Sequence, residues 1–365
     1  MSKILILANN SSGLYIFRNE LVERLLKEGH EVLISIPDNE HRKELENEGC
    51  RIIETQMERR GTNPLKDIKL IKFYSRLLSE EKPDVVLTYT IKPNVYGGYV
   101  CRKKKIPYIS TVTGLGSSFE WTGLKKKMIV TMYKLGLKGC SCVFFQNAEN
   151  KKLFADLNIK GKDAALVNGS GVNLEKHHFE EYPGHKDDII RFLYIGRIMH
   201  EKGIDEYLYA ARELRKEYGD KVSVSVIGYS DEDYEDKLKK AQEGKYLKVI
   251  PFQKNIHPYI KEADAIVLPS YHEGMSNVLM ESAATGRPTL ASNISGCKET
   301  IDDNVSGLLF NPKDEKSLLD AMKTFYNLSM EERRNMGKCG REKMEREFDR
   351  NKIVDAYVSK INGLI

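Results

Sequence analysis

The sequence predicts an α/β protein built from two doubly wound parallel-sheet domains. Three observations carry that expectation. Short, continuous apolar runs such as residues 4–8 and 265–268 alternate with helical segments, which is how strands buried on both faces read. The rhythm breaks once, across residues 175–188, where His177, His178, Pro183 and Gly184 fall, and then restarts. A chain of 365 residues is long enough for two sizeable cores and too long for one ordinary domain.

Residues 4–8 read as the first strand, and Gly13 lies in the loop after it. A helix over about 15–27 stops at Gly29, and residues 32–36 form the next strand. Asn63 and Pro64 open a helix that runs to 78, with Asn63 as cap and Pro64 at the first helical position. Residues 85–88, 108–112 and 143–145 supply further buried strands. After the break come strand 192–195, helix 204–218, strand 222–227 and a helix around 233–243. Strand 247–250, a helix ending at 263, strand 265–268, helix 276–284 and strand 289–291 follow. The C-terminal stretch is helical and polar. The expected division is an N-terminal domain over 1–180, a C-terminal domain over 181–345, and a final helix in 346–365 that packs back on the N-terminal domain.

Composition excludes several classes. Six scattered cysteines, with no CxxC pair, fit a reducing compartment better than a disulfide or zinc framework. The apolar run at 4–8 is too short for a secretion signal, and no run approaches a membrane span. Residues 1–185 hold 29 Lys+Arg against 22 Asp+Glu, whereas residues 186–365 hold 29 against 31. The basic first half points to an anionic partner such as phosphate or lipid headgroup, and no nucleic-acid partner is expected. The expected location is the cytoplasm, peripheral on the inner face of the cell membrane.

Glu273 and Glu281 flank the turn and helix that follow strand 265–268. Eight helical positions span about 12 Å, close to the reach of a nucleotide-sugar from its sugar hydroxyls to its ribose. One carboxylate could accept hydrogen bonds at each hydroxyl-rich end, with the amides of Gly274 to Asn277 facing the phosphates between them. Gly196 and Arg197 directly follow strand 192–195, and Lys202 stands at the next helix start. Two cations at such a strand-to-helix turn suit a diphosphate.

With Glu201-Lys202-Gly203 and the E-x7-E spacing, this half resembles the donor domain of retaining glycosyltransferases of family 4, which have the GT-B fold. That fold sets two Rossmann-like domains facing across a cleft. Residues 12–18, 59–64, 90–94 and 113–116 resemble the bacterial branch that builds capsules, O-antigens and lipid-linked glycans, including N-acetylgalactosaminyltransferases acting on undecaprenyl-diphosphate sugars. The resemblance implies a UDP-sugar donor, with N-acetylgalactosamine the best guess, and a polyprenyl-diphosphate-linked saccharide acceptor. It implies no cofactor and no metal.

By the same resemblance, Arg197 and Lys202 grip the diphosphate and Glu273 holds the donor sugar. Met275, Ser276 and Asn277 offer amides, Glu281 holds the ribose, Gly13 admits the diphosphate, and Phe252 meets the uracil. Arg18, Arg60, Lys92, Asn94, Thr113 and Gly114 are implied for the acceptor. Relatives carry a histidine after the strand equivalent to 108–112; residues 111–116 contain none, so no histidine role is implied there. A UDP-sugar epimerase or a phosphorylase on the same architecture is the alternative enzyme. The first expects a histidine and acid/base carboxylates, the second a lysine-bound pyridoxal. A non-enzymatic scaffold would require a dead site, against the full set Arg197, Lys202, Glu273 and Glu281.

Three features read as decoys. Asp231-Glu232-Asp233 matches a metal-binding DxD, yet is expected to be a solvated turn. His177 and His178 have no Cys or carboxylate at metal spacing and are expected to be exposed. Ser170 is not in a GxSxG context. The stretch 121–138 combines Trp121, Lys125, Lys126 and Lys127 with apolar residues at helical spacing, and is expected to meet an anionic membrane surface.

Overall fold

The structure is a computed structural model describing residues 1–57, 63–115, 119, 122–185 and 187–365. Arg60 and Trp121, two of the expected contacts, lie outside the described residues. The chain forms two compact units, one of residues 1–171 with 350–365 and one of residues 172–349.

The first unit is a seven-stranded parallel sheet. Its strands are β1 (Lys3–Leu7), β2 (Glu31–Ile36), β3 (Arg51–Glu54), β4 (Val85–Tyr89), β5 (Tyr108–Val112), β6 (Cys142–Phe145) and β7 (Ala164–Leu166), in the order β3-β2-β1-β4-β5-β6-β7. Its helices are α1 (Ser11–Lys27), α2 (Arg42–Asn47), α3 (Pro64–Glu81), α4 (Gly98–Lys104), α5 (Gly123–Leu137) and α6 (Ala148–Asp156). The second unit has six parallel strands: β8 (Ile190–Ile195), β9 (Val222–Gly228), β10 (Lys248–Pro251), β11 (Ala265–Leu268), β12 (Thr289–Ser292) and β13 (Gly307–Phe310). They run β10-β9-β8-β11-β12-β13. Helices α7 (Ile204–Tyr218), α8 (Glu235–Glu243), α9 (His257–Glu262), α10 (Asn277–Ala284), α11 (Glu315–Asn327) and α12 (Met330–Lys343) complete that unit, while α13 (Arg350–Asn362) belongs to the first.

Strand burial explains the sequence pattern. β1, β4, β8 and β11 are central and almost wholly buried, hence their continuous apolar runs. β3, at an edge, carries Arg51 and Glu54 on its exposed ends, and β7 has only three residues, so neither stands out in the sequence. The chain leaves the first unit after Gly171 and returns to it at Arg350, where the sequence placed the divisions at 180/181 and 345/346. Residues 172–180 are bound into the second unit by Val172 N donating to Phe348 O (2.8 Å) and Glu180 N to Thr285 O (3.1 Å). On its return the chain is anchored by Arg350, whose guanidinium reaches both carboxylate oxygens of Glu20 on α1 (2.8 and 3.0 Å).

Both sheets reverse strand order once, between β1 and β4 and between β8 and β11. Open α/β sheets bind ligands at the carboxyl ends of the strands flanking such a reversal. In the second unit those ends carry Gly196 to Lys202 and Pro269 to Ser276.

Candidate active site

The loops after β8 and β11 are packed backbone to backbone. Gly203 ends the turn holding Lys202 with φ +70°, and a Cβ there would fall 2.1 Å from Pro269 O, so only glycine permits the approach. That approach brings Lys202 Nζ to 2.5 Å from Glu273 Oε1. Ser270 Oγ donates to the same oxygen at 2.9 Å. Both charged side chains are largely shielded from water. The peptide of Glu273 is fixed in turn by Gly296, where a Cβ would lie 2.7 Å from Glu273 O. A cation and a carboxylate from different strands are thus held at one point of the sheet reversal.

Arg197 is held by the turn expected to be a solvated decoy. Ile198 N donates to Tyr229 O (2.9 Å) and Asp231 N to Ile198 O (3.1 Å), zipping the two loops together. Arg197 Nη1 then lies 2.7 Å from Asp231 Oδ2, and Tyr194 Oη donates to Arg197 O at 2.7 Å. Glu232 and Asp233 remain exposed, but Asp231 is half-buried as the counter-ion of Arg197. Its partner lies 34 positions away, a contact that local sequence does not signal.

Helix α10 begins at Asn277 with Ser276 as cap, its Oγ accepting from Leu279 N at 3.3 Å. The expectation that Ser276 N meets a ligand is corrected, because it donates to Gly296 O at 2.8 Å. The Met275 side chain is buried in an apolar cluster with Val172 and Met280. Gly274 and Asn277 flank these two at the helix N-terminus, where the peptide dipoles favour an anion. Glu281 is 8 % exposed, and its Oε1 lies 3.8 Å from Nε2 of His177. His177 is 4 % exposed, which overturns its expected surface position. The linker folds onto α10 and α12, and Arg341 Nη1 donates to His177 O at 3.0 Å. Phe252, after β10, is exposed and meets the exposed ring of Tyr229 edge-on at 5.9 Å. Tyr229 was not anticipated; its position directly after the glycine that ends β9 is the signal that could have found it.

In the first unit, three of the residues expected to meet a ligand also have partners within the fold. Gly13 lies inside the first turn of α1, which starts four residues before the helix read from sequence, and its amide donates to the capping Asn10 Oδ1 at 2.5 Å. Arg18 is buried, with its guanidinium 4.4 Å from the centre of the Tyr89 ring. Asn94 is fully buried, accepting from Thr88 Oγ1 (2.7 Å) and donating to Thr111 O (2.8 Å), so it ties strand ends together and has no ligand-facing atom. Lys92 pairs with Asp67 at 3.0 Å and lines a cavity of about 810 Å³ with Lys66, Lys69, Met57 and Phe73. Thr113 and Gly114 are half-buried at the end of β5.

Two apolar-cationic faces are exposed on this unit. Leu124 and Met128 of α5 stand in solvent beside Lys125 and Lys127, with Lys126 half-buried. Leu65 and Ile68 of α3 stand beside Lys66 and Lys69. No helix among the described residues is long and apolar enough to cross a membrane.

Comparison with known proteins agrees with this layout. Residues 176–343 match the family of glycosyl transferases group 1, and residues 3–147 match the glycosyl transferase 4-like family. The chain is similar to the N,N'-diacetylbacillosaminyl-diphospho-undecaprenol alpha-1,3-N-acetylgalactosaminyltransferase of Campylobacter jejuni, 25% identical over 86% of each chain. It is also similar to the UDP-Gal:alpha-D-GlcNAc-diphosphoundecaprenol alpha-1,3-galactosyltransferase of Escherichia coli, 26% identical over 72% of this chain and 71% of that one. Among solved structures, Anabaena Alr3699/HepE in complex with UDP and glucose superposes with a TM-score of 0.80 at 15% identity over the full length of both chains. A glycosyltransferase from Rickettsia africae gives 0.78 at 17% identity, over 100% of this chain and 98% of that one. These neighbours establish the GT-B fold.

Proposed function

Because this chain belongs to the glycosyltransferases, with a group 1 domain over residues 176–343 and a 4-like domain over 3–147, we propose that it transfers a hexose or N-acetylhexosamine from a UDP-sugar to a polyprenyl-diphosphate-linked saccharide. The observation that carries this reading is the Lys202–Glu273 pair where the second sheet reverses, with Arg197 on the same strand-end loop held by Asp231. Cations placed there meet a diphosphate, and a carboxylate beside them meets sugar hydroxyls. Tyr229 and Phe252 offer an aromatic corner for the uracil. The names of the Campylobacter jejuni and Escherichia coli relatives support a lipid-linked diphosphate acceptor, and the first supports N-acetylgalactosamine as the sugar.

The reaction proceeds with retention. The bond between the anomeric carbon and the diphosphate oxygen breaks while the acceptor hydroxyl oxygen bonds the same face of that carbon. The acceptor proton passes to the departing diphosphate, and UDP leaves. Arg197 and Lys202 offset the charge that develops on the leaving group, the role a metal ion would otherwise fill. In the resting site Asp231 and Glu273 neutralise these two cations, so the diphosphate replaces carboxylates instead of water. Glu273, released from Lys202, becomes free to accept from the donor sugar. The exposed apolar-cationic faces of α3 and α5 suit an anionic membrane, where such an acceptor resides.

The test is incubation with a panel of UDP-sugars and a polyprenyl-diphosphate-linked acceptor after chelation of divalent ions. Formation of an extended lipid-linked saccharide from one UDP-sugar supports the reading. Failure of every UDP-sugar to be consumed or to raise the melting temperature contradicts it.

A further inference from the structure

The linker that reads from sequence as a decoy carries a second constellation. His178 and Glu180 lie two residues apart on it, and His257 opens α9. Glu180 Oε1 lies 3.1 Å from His178 Nε2 and 3.3 Å from His257 Nε2. Ligands about 2.0–2.2 Å from a tetrahedral ion stand roughly 3.3 Å apart, so each imidazole already stands at nearly the required distance from the carboxylate oxygen, and all three ligand atoms lie within 4.8 Å of one another.

The surroundings fix the carboxylate orientation and give the far side of the His257 ring a partner. Lys261 Nζ takes the other oxygen, Glu180 Oε2, at 3.0 Å, leaving Oε1 toward the imidazoles. On the far side of the His257 ring, Nδ1 faces Thr285 Oγ1 at 3.5 Å, and Thr285 Oγ1 donates to Glu281 O at 2.8 Å. With no ion bound, the acceptor-only carboxylate of Glu180 calls for the proton on Nε2; once an ion takes its place there, the proton on Nδ1 is placed to donate to Thr285 Oγ1.

We propose that His178, Glu180 and His257 bind a divalent transition-metal ion of the zinc class, tying the linker to α9. Two imidazoles and one carboxylate select such an ion over magnesium or calcium, and water completes its coordination. On binding, a neutral imidazole whose proton sits on Nε2 passes to the Nδ1–H tautomer, with no net proton released. The ion stands outside the transfer reaction, and the proposal rests on no part of that reading.

The full chain, stripped of metal by a chelating resin, should be titrated with Co²⁺ and followed by visible absorption. One equivalent should bind with ligand-field bands, Zn²⁺ should displace it, and Zn²⁺ should raise the melting temperature. His178→Ala alters a mostly exposed side chain, so its fold should persist, which the melting curve of the ion-free variant checks. It should weaken Co²⁺ binding at least about tenfold and abolish the Zn²⁺ stabilisation. Absence of bands in the wild type, or undiminished affinity in the variant, would overturn the assignment.

Discussion

Lys202 and Glu273 meet at 2.5 Å although 71 residues separate them, because the strands preceding them, β8 and β11, are neighbours at the sheet reversal. The pairing follows from topology and from Gly203, whose missing side chain lets the two loops touch. A shielded pair of this kind stores a cation and a carboxylate in one place without committing either to the fold's interior. In the proposed reaction an incoming diphosphate and sugar separate them and use both.

Removing either cation should impair turnover far more than folding. Arg197→Ala and Lys202→Ala each delete one electrostatic stabiliser of the leaving group, so the rate should fall about 10²–10³-fold. Steady-state kinetics on purified variants, with melting temperature as the control for folding, checks this. Wild-type-like turnover in either variant contradicts the assignment.

In the proposed reaction Asp231, the ion-pair partner of Arg197, competes with the donor for that arginine. Asp231→Asn should keep the hydrogen bond and remove the charge, tightening UDP binding about two- to fivefold, the scale of a solvent-accessible ion pair. Titration calorimetry with UDP decides the point; weaker binding would mean that Asp231 positions the arginine for the ligand.

Glu281 and His177 form a shielded pair beside the proposed ribose position. Glu281→Gln should mainly raise the donor KM, since a charge-assisted hydrogen bond contributes about 1.5–3 kcal/mol. Should kcat fall with KM unchanged, the ribose role moves elsewhere.

Exposed lysines on α5 should govern membrane association. Replacing Lys125, Lys126 and Lys127 with Glu should release the protein from anionic vesicles and leave UDP binding intact, each surface lysine being worth about 1 kcal/mol. Vesicle sedimentation at low and high salt measures it. Unchanged co-sedimentation would return α5 to an ordinary packed helix.

Much of the architecture was legible because each central strand is a continuous apolar run bounded by turn residues. β5, α7 and β11 have the limits read from sequence, and Asn63 caps α3 through contacts to Leu65 N and Lys66 N. Local capping was misjudged at Asn10, which starts α1 inside an apparent loop. Long-range partners were not legible at all. Nothing near Arg197 announces Asp231, nothing near His177 announces Glu281, and Asn94, implied for the acceptor by family resemblance, is buried and joins strand ends. Edge elements β3 and β7 were missed because half-exposed, short strands lack the apolar run that marks central ones.

The central claim is that Glu273 serves the donor sugar during transfer. The most direct measurement compares Glu273→Gln with wild type for two quantities, UDP affinity and turnover with the active UDP-sugar and acceptor. The substitution removes the charge partner of Lys202 but leaves the proposed diphosphate contacts of Arg197 and Lys202 in place. UDP affinity within a few-fold of wild type, with turnover reduced about 10²–10³-fold, is the predicted result. Wild-type turnover, or a loss of UDP binding as large as the loss of turnover, would contradict it.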